Sequence, residues 1–262
     1  MILTDANYYS SEANRNYMSV SQYKQFCKCE AAAMAQITGE WEFPKTTALL
    51  IGSYVDAWVE GTLDEFRNQN PEIFKKNGEL KADFLKAEEV IGVIRADDEL
   101  MRYLAGEKQR IVTAELFGTL WKIKIDSYHP GVMIVDLKVM RSMERIMGKS
   151  FVEHWGYDLQ MAVYAEVVRR VFGVDLETYL AVITKQDPPD KELIHIPRWR
   201  REELLSEIER NMPRILAVKA GETPPQRCGV CDYCRATKKL TEPIDFDLVG
   251  LSAAERRAIL GE

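Results

Sequence analysis

The sequence lacks any apolar run near the roughly 18 residues that a membrane-spanning helix needs, which argues against a membrane anchor. Its first 20 residues lack the basic-then-apolar layout of a secretory signal peptide. It also lacks a repeat of fixed period and any low-complexity segment. These absences predict a cytoplasmic protein with no membrane partner.

An excess of positive charge is missing too. The chain has 35 Lys and Arg against 41 Asp and Glu, a net charge of -6 at pH 7. This balance neither indicates nor excludes nucleic-acid binding, because a basic groove can lie on an acidic protein. With 262 residues, 46% of them hydrophobic, the chain is long enough for one large domain. We therefore expect a single domain over residues 1–262.

Cysteines are few and unevenly placed. Cys27 and Cys29 lie near the start, and Cys228, Cys231 and Cys234 lie near the end. In a cytoplasmic chain this clustering favours metal binding over disulfides. The late trio supplies three thiolates, and a tetrahedral site needs a fourth, from Cys29 or Cys27. Zinc, a [4Fe–4S] cluster and reduced thiols without metal all remain open.

The pattern of apolar residues changes along the chain from helical spacing to strand alternation and back. Helical spacing occupies residues 19–37, 46–61, 81–106, 149–173 and 198–221, with a short helix after 61. Strand patterns occupy residues 109–118, 119–131, 132–140, 176–185 and 192–197. This order predicts an α/β fold with a central mixed β-sheet flanked by helices, preceded by N-terminal helices and followed by a Cys-rich C-terminal segment.

The strand "IVDLKVM" carries two charges in an apolar run. Asp136 and Lys138 share one face because side chains alternate along a strand. A turn centred near Pro130 would place Asp126 opposite residue 134 and diagonal to Asp136. Close carboxylates in an apolar wall repel, and Mg²⁺ or Mn²⁺ would resolve the conflict. The alternative is that Asp136 and Lys138 merely solvate a sheet edge.

These residues resemble a known superfamily. Asp126-x9-Asp136-Leu-Lys138, with Gln160 and Tyr164 on the next helix, resembles the PD-(D/E)XK nucleases. The likeness is to the RecB-type and phage exonuclease branch, which includes RecE-like and lambda-exonuclease-like proteins. It implies a restriction-endonuclease-like core over residues 107–221, an N-terminal helical part over 19–106 and a Cys-rich segment and tail over 222–262.

The resemblance also implies roles. Asp126, Asp136 and the Leu137 carbonyl would hold the metal, and Lys138 would be the catalytic amine. Gln160 and Tyr164 would position the lysine or a DNA phosphate, although a half-buried helix face explains them as well. Two further metal-binding or supporting acids are implied: Asp56, where the branch has histidine, and Glu115 on the preceding strand.

A similar cysteine arrangement occurs in some relatives, where one early cysteine joins three late ones around an iron–sulfur cluster. The resemblance favours Cys29 over Cys27 as the early ligand, with Cys228, Cys231 and Cys234. The spacing of Cys228, Cys231 and Cys234 is tighter than in those relatives, so zinc remains the alternative to the iron–sulfur cluster.

The function implied is a metal-dependent deoxyribonuclease, an exonuclease acting on duplex DNA ends in phage-type recombination. A single-strand annealing protein as partner and a homo-oligomer are implied by the resemblance alone. The alternatives are an inactive nuclease-fold DNA-binding module and an endonuclease of the same fold. Two basic stretches are candidate DNA contacts, Arg198–Arg201 and residues 138–149, although helix solvation and methionine packing explain them equally well.

Overall fold

The computed structural model describes residues 1–42, 46–240 and 243–260. The chain forms two compact units. The first comprises Met1–Phe43, Glu115–Trp121 and Glu207–Glu262, and the second comprises Pro44–Ala114 and Lys122–Ser206. The predicted parts, residues 19–106, 107–221 and 222–262, stay a prediction.

Twelve α-helices and five strands are formed by the described residues. The helices are α1 (Ser11–Asn16), α2 (Val20–Lys28), α3 (Glu30–Thr38), α4 (Thr47–Glu60), α5 (Leu63–Gln69), α6 (Ala82–Arg95), α7 (Asp98–Tyr103), α8 (Phe151–Trp155), α9 (Tyr157–Phe172), α10 (Arg198–Lys219), α11 (Asp232–Ala236) and α12 (Ala253–Leu260). The strands are β1 (Glu107–Leu116), β2 (Thr119–His129), β3 (Met133–Met140), β4 (Glu177–Thr184) and β5 (Lys191–His195). Within the described residues, no helix has both the length and the apolar character that crossing a membrane requires.

The strands form one sheet in the order β1-β2-β3-β4-β5. Strand β3 is antiparallel to β2 and parallel to β4, and β5 is antiparallel to β4. The parallel pair requires a crossover, and α9 supplies it. This confirms the prediction of a mixed sheet flanked by helices.

The two faces of β3 have different surroundings. Val135 and Leu137 are buried in an apolar cluster with residues of α4 and α6, among them Tyr54 and Ile91. Asp136 points to the other face, where the side chain of a residue on α9 contacts it. The alternation read from the sequence is therefore present, and it puts the charged side of the strand beside α9.

The register of β2 and β3 differs from the predicted one by two residues. Ser127 pairs with Val135, and the connecting turn has three residues, 130–132. Gly131 adopts φ of 72°, and the Val132 N–H donates to the His129 carbonyl over 3.0 Å. The turn therefore centres on Gly131, one residue after the predicted centre near Pro130. Continued pairing would put Asp126 opposite Asp136, one step beyond the last paired residues.

Two predicted continuous helices are broken in the structure. Residues 19–37 form α2 and α3 because Cys29 between them is extended, with φ of -165° and ψ of 105°. Residues 149–173 form α8 and α9 because Gly156 adopts the left-handed conformation, with φ of 63°. A fresh helix therefore begins at Tyr157.

Candidate active site

Three carboxylates and an amine converge in the second unit. Asp126 comes from β2, Asp136 and Lys138 from β3, and Asp56 from α4. The Lys138 ammonium forms an ion pair with Asp136 Oδ2, and Gln160 Nε2 on α9 donates to Asp136 Oδ1 over 2.5 Å. Asp136 is 1% exposed, so its carboxylate is held between these two groups away from bulk water.

Where the backbone pairing of β2 and β3 ends, the Asp126 side chain accepts a hydrogen bond from the backbone of β3. Its Oδ2 accepts the Leu137 N–H over 2.9 Å, and its Oδ1 is 3.4 Å from Gln109 Nε2. The carboxylate therefore occupies the gap between the separating strands.

The pKa values of Asp126 and Asp56 are both raised, mainly by burial. Burial raises the pKa of Asp126 well above its ordinary value, and the charges of Asp136 and Asp56 raise it further. Burial also raises the pKa of Asp56, to about 7, where Lys138 opposes the shift and Asp136 adds to it. The charges of Lys138 and Lys124 oppose the rise at Asp56 but do not cancel it.

Lys138 remains an ammonium ion in this environment. Burial alone lowers the pKa of its amine, but the neighbouring carboxylates of Asp136 and Asp126 outweigh burial and raise the pKa above the ordinary value. The amine therefore acts here as a fixed positive charge.

The donor set fits a hard divalent cation. Carboxylate oxygens are the ligands that Mg²⁺ and Mn²⁺ prefer, and the charges of Asp56, Asp126 and Asp136 act on one another here. The buried Asp136 Oδ2 accepts no hydrogen bond of good geometry, although it forms an ion pair with the Lys138 ammonium. A divalent ion would neutralise the mutual repulsion of Asp56, Asp126 and Asp136.

The other residues expected at the site differ in their exposure and location. Tyr164 is 9% exposed and lies one helical turn after Gln160 on α9. Glu115 is exposed near the end of β1 and belongs to the first unit. The Leu137 N–H donates a hydrogen bond to Asp126, and the Leu137 carbonyl stays a predicted metal ligand. The roles of Tyr164 and Glu115 likewise stay predictions.

Residues around the site that the sequence did not indicate include Tyr157, whose ring centroid is 5.0 Å from Lys138 Nζ. Its position three residues before Gln160 was an available signal, since residues i and i+3 share a helix face. Lys124 precedes Asp126 by two residues on one strand face, and its charge lowers the pKa of Asp56. Nothing in the sequence indicated that Gln109 and Lys108 lie near the site, because their placement depends on pairing between β1 and β2.

The basic stretch at the start of α10 is engaged within the protein. Arg200 contacts Asp158 over 2.8 Å, and Asp158 is 3% exposed. Arg201 is 3% exposed and donates to the Leu176 carbonyl over 2.7 Å. Arg198 pairs with Glu202 over 2.8 Å. These ion pairs and hydrogen bonds give Arg200 and Arg201 a structural role, and contact of the stretch with DNA stays a prediction.

We expect Arg200→Ala to destabilise the protein by about 2 kcal/mol, because it leaves the buried Asp158 carboxylate without its cation. Arg198→Ala, which removes a side chain that is 70% exposed, is the control and should change stability by no more than about 0.5 kcal/mol. Urea denaturation measures both. Equal losses in the two variants would contradict the structural role of Arg200.

Four cysteines form a compact group in the first unit. The sulfurs of Cys29, Cys228, Cys231 and Cys234 all lie within 4.8 Å of one another. Cys29 Sγ is 3.6 Å from Cys234 Sγ, and Cys228 Sγ is 3.9 Å from Cys234 Sγ. Cys27 is exposed and outside the group, and no described cysteine forms a disulfide.

Backbone N–H groups point at these sulfurs. The Cys231 N–H lies 3.4 Å from Cys228 Sγ, and the Cys234 N–H lies 3.4 Å from Cys231 Sγ. Burial raises the pKa of the Cys228 thiol, but the N–H groups of Val230 and Cys231 outweigh burial and lower it to about 7. Thiolate at this position is therefore accessible near neutral pH, as metal ligation requires.

The sulfur spacing discriminates between the two candidate centres. Zinc–sulfur bonds of about 2.3 Å in a tetrahedron place neighbouring sulfurs about 3.8 Å apart. The two distances above match that edge. In a [4Fe–4S] cluster each thiolate binds a different iron, so the sulfurs are held further apart. The four cysteines could therefore hold a metal.

The mixed sheet, with two acids and a lysine on its second and third strands, defines the class: a PD-(D/E)XK, restriction-endonuclease-like fold. The chain belongs to the family described as "PDDEXK-like domain of unknown function (DUF3799)", whose model matches residues 19–237. This confirms the resemblance drawn from the sequence. No curated protein matches the chain.

A solved structure covers almost the whole chain. The chain is 51% identical to a Eubacterium rectale protein whose crystal structure is described as that of a "Putative exonuclease", over 95% of this chain and 99% of that one, with a TM-score of 0.92. A second crystal structure, that of SSO0001, is 14% identical over 73% of this chain and 84% of its own. Its TM-score is 0.28, which is too low to indicate a shared fold.

Proposed function

We propose that the protein is a metal-dependent deoxyribonuclease, an exonuclease that hydrolyses phosphodiester bonds at duplex DNA ends. The observation that carries the proposal is the convergence of Asp126, Asp136 and Lys138 in one partly buried group. Membership of a PDDEXK-like family and the description of the 51%-identical neighbour support it.

In this proposal Asp126, Asp136 and the Leu137 carbonyl hold Mg²⁺ or Mn²⁺, with Asp56 as a further acid. When bound, such an ion polarises a phosphoryl oxygen and lowers the pKa of a coordinated water. Gln160 keeps the Asp136 carboxylate in one orientation through its 2.5 Å hydrogen bond. Tyr164, on the same helix, would help to orient the DNA phosphate.

Lys138 supplies positive charge beside the reacting phosphate. Its raised pKa keeps the amine protonated, so it stabilises the charge that develops on phosphate instead of removing a proton from water. The Tyr157 ring next to the ammonium restricts its position. Asp136 therefore has two roles, as a metal ligand and as the anchor of Lys138.

For the cysteine group we propose a structural zinc ion bound by Cys29, Cys228, Cys231 and Cys234. Its ligands come from the junction of α2 and α3 and from the segment around α11, all in the first unit, so it would close a loop of about 200 residues. Glu30 supports the same junction by pairing with Arg214 over 2.7 Å.

The finer proposals follow the resemblance. We propose a cytoplasmic enzyme of phage-type recombination that works beside a single-strand annealing protein and assembles as a homo-oligomer. The rival is an inactive DNA-binding module, which Asp56 in place of histidine favours. The retained Asp126, Asp136 and Lys138 favour the enzyme.

The test is to incubate linear and closed circular DNA with Mg²⁺ or Mn²⁺, with and without chelator. We expect degradation of linear DNA only, and no degradation with chelator. Cleavage of circular DNA would instead identify an endonuclease. Binding without cleavage under either ion would identify the inactive module.

A further inference from the structure

A small hairpin follows the strand that carries Asp136 and Lys138. Ile146 and Lys149 pair through two backbone hydrogen bonds of 2.9 and 3.0 Å, and Met147 and Gly148 form the turn between them. Both turn residues have positive φ, 50° and 79°. We call residues 146–149 the tip hairpin. It lies on the connection between β3 and α8.

Neither turn stability nor burial explains the methionine at this tip. Two-residue turns with positive φ at both positions favour Asn, Asp or Gly at the first. Met147 occupies that position, and it is 92% exposed. An apolar side chain in this position gains nothing from burial in the free protein. A partner that covers the side chain would supply that gain.

The charges around the tip indicate an anionic partner. Arg141, Arg145 and Lys149 are exposed, against one acid, Glu144. None of the three cations forms an ion pair in the part of the chain that the structure describes, in contrast to the arginines that begin α10. Arg145 donates to the Gly148 carbonyl over 2.5 Å and so braces the turn.

The position of the tip hairpin ties it to the candidate active site. The segment 141–149 begins after Met140, the last residue of β3, and leads through α8 into α9. Its two ends are therefore fixed by the elements that carry Asp136 and Gln160. A molecule whose phosphate lies at the active site would be close to these cations.

We propose that the tip hairpin recognises DNA duplex ends, with Met147 packing on the exposed face of the terminal base pair and Arg141 and Lys149 contacting flanking phosphates. This inference rests on the proposed DNA substrate and explains a preference for ends. Only a terminus offers an unstacked base face beside phosphates, because interior bases are covered by their neighbours. Every base offers such an apolar face, so the contact is independent of sequence.

The experiment measures equilibrium binding, in Ca²⁺, to a blunt duplex and to a dumbbell of the same sequence whose ends are closed by loops. We expect the wild type to bind the blunt duplex about tenfold more tightly, the size of one apolar base contact. Met147→Ser should remove that preference, and Met147→Leu should keep it. Val132→Ser, at the opposite end of β3 and 62% exposed, is the matched control and should also keep it.

Arg141→Gln with Lys149→Gln should weaken both DNAs equally and reduce the salt dependence of binding. An unchanged end preference in Met147→Ser, while the wild type still binds and degrades linear DNA, would overturn the inference and leave the proposed function standing. A wild type that neither binds nor cleaves DNA would overturn both.

Discussion

Asp126→Asn is expected to abolish degradation of linear DNA, with a loss of about 10³-fold or more in rate. The substitution removes a charged metal ligand and leaves the acceptor of the Leu137 N–H in place. The local backbone should therefore stay intact while the ion loses part of its site. The measurement is the initial rate of nucleotide release in Mg²⁺ and in Mn²⁺.

The same variant should be more stable than the wild type in chelator. A carboxyl whose folded-state pKa is raised opposes folding once the pH exceeds its unfolded pKa, and Asp126 and Asp56 are both in this position. The metal-free wild type should therefore lose stability as the pH rises from about 4 to about 7. Asp126→Asn removes a buried charge that opposes folding, so the variant should be more stable than the metal-free wild type at pH 7.

Asp64→Asn is the control for both measurements, since the Asp64 side chain is 98% exposed and lies on α5. It should leave rate and stability unchanged. Wild-type rates in Asp126→Asn would show that this carboxylate holds no essential ion. A large loss of stability in chelator would show that the carboxylate is needed for folding.

Cys29→Ala is expected to remove the zinc and to cost several kcal/mol of stability, because structural zinc binding contributes directly to folding. Cys27→Ala should change neither, since Cys27 lies two residues away and outside the cysteine group. Elemental analysis of the purified proteins gives the metal content, and thermal denaturation gives the stability.

The two cysteine variants separate the possible centres. Zinc in the wild type and in Cys27→Ala, but not in Cys29→Ala, supports the tetrahedral site. Iron with inorganic sulfide and visible absorption would instead identify an iron–sulfur cluster. Equal metal content and stability in all three proteins would mean that the thiols carry no metal.

The sheet was predictable because its signals are local. Alternation in β2 and β3, and the Pro-Gly turn between them, located both strands to within two residues of their observed ends. The helix breaks at Cys29 and Gly156 were not predictable by periodicity, because apolar residues on both sides keep helical spacing. At Cys29 the extended backbone accompanies the contact with the distant cysteines, which no local pattern encodes.

The placement of the site residues was likewise predictable only where the signal is local. Asp136 and Lys138 were placed on one face by strand alternation alone. The position of Asp126 was off by two residues, because the length of the turn decides the register. The ion pairs of the α10 arginines could not be predicted because their acidic partners, Asp158 and Asp175, lie far along the chain.

The central claim is that Asp126 and Asp136 jointly bind one divalent ion beside the Lys138 ammonium. The most direct test is a crystal of the protein soaked in Mn²⁺, with the ion located by its anomalous scattering. The account predicts a peak about 2 Å from an oxygen of each of the two carboxylates. A peak elsewhere, or carboxylates that point apart with Lys138 in bulk solvent, would contradict it.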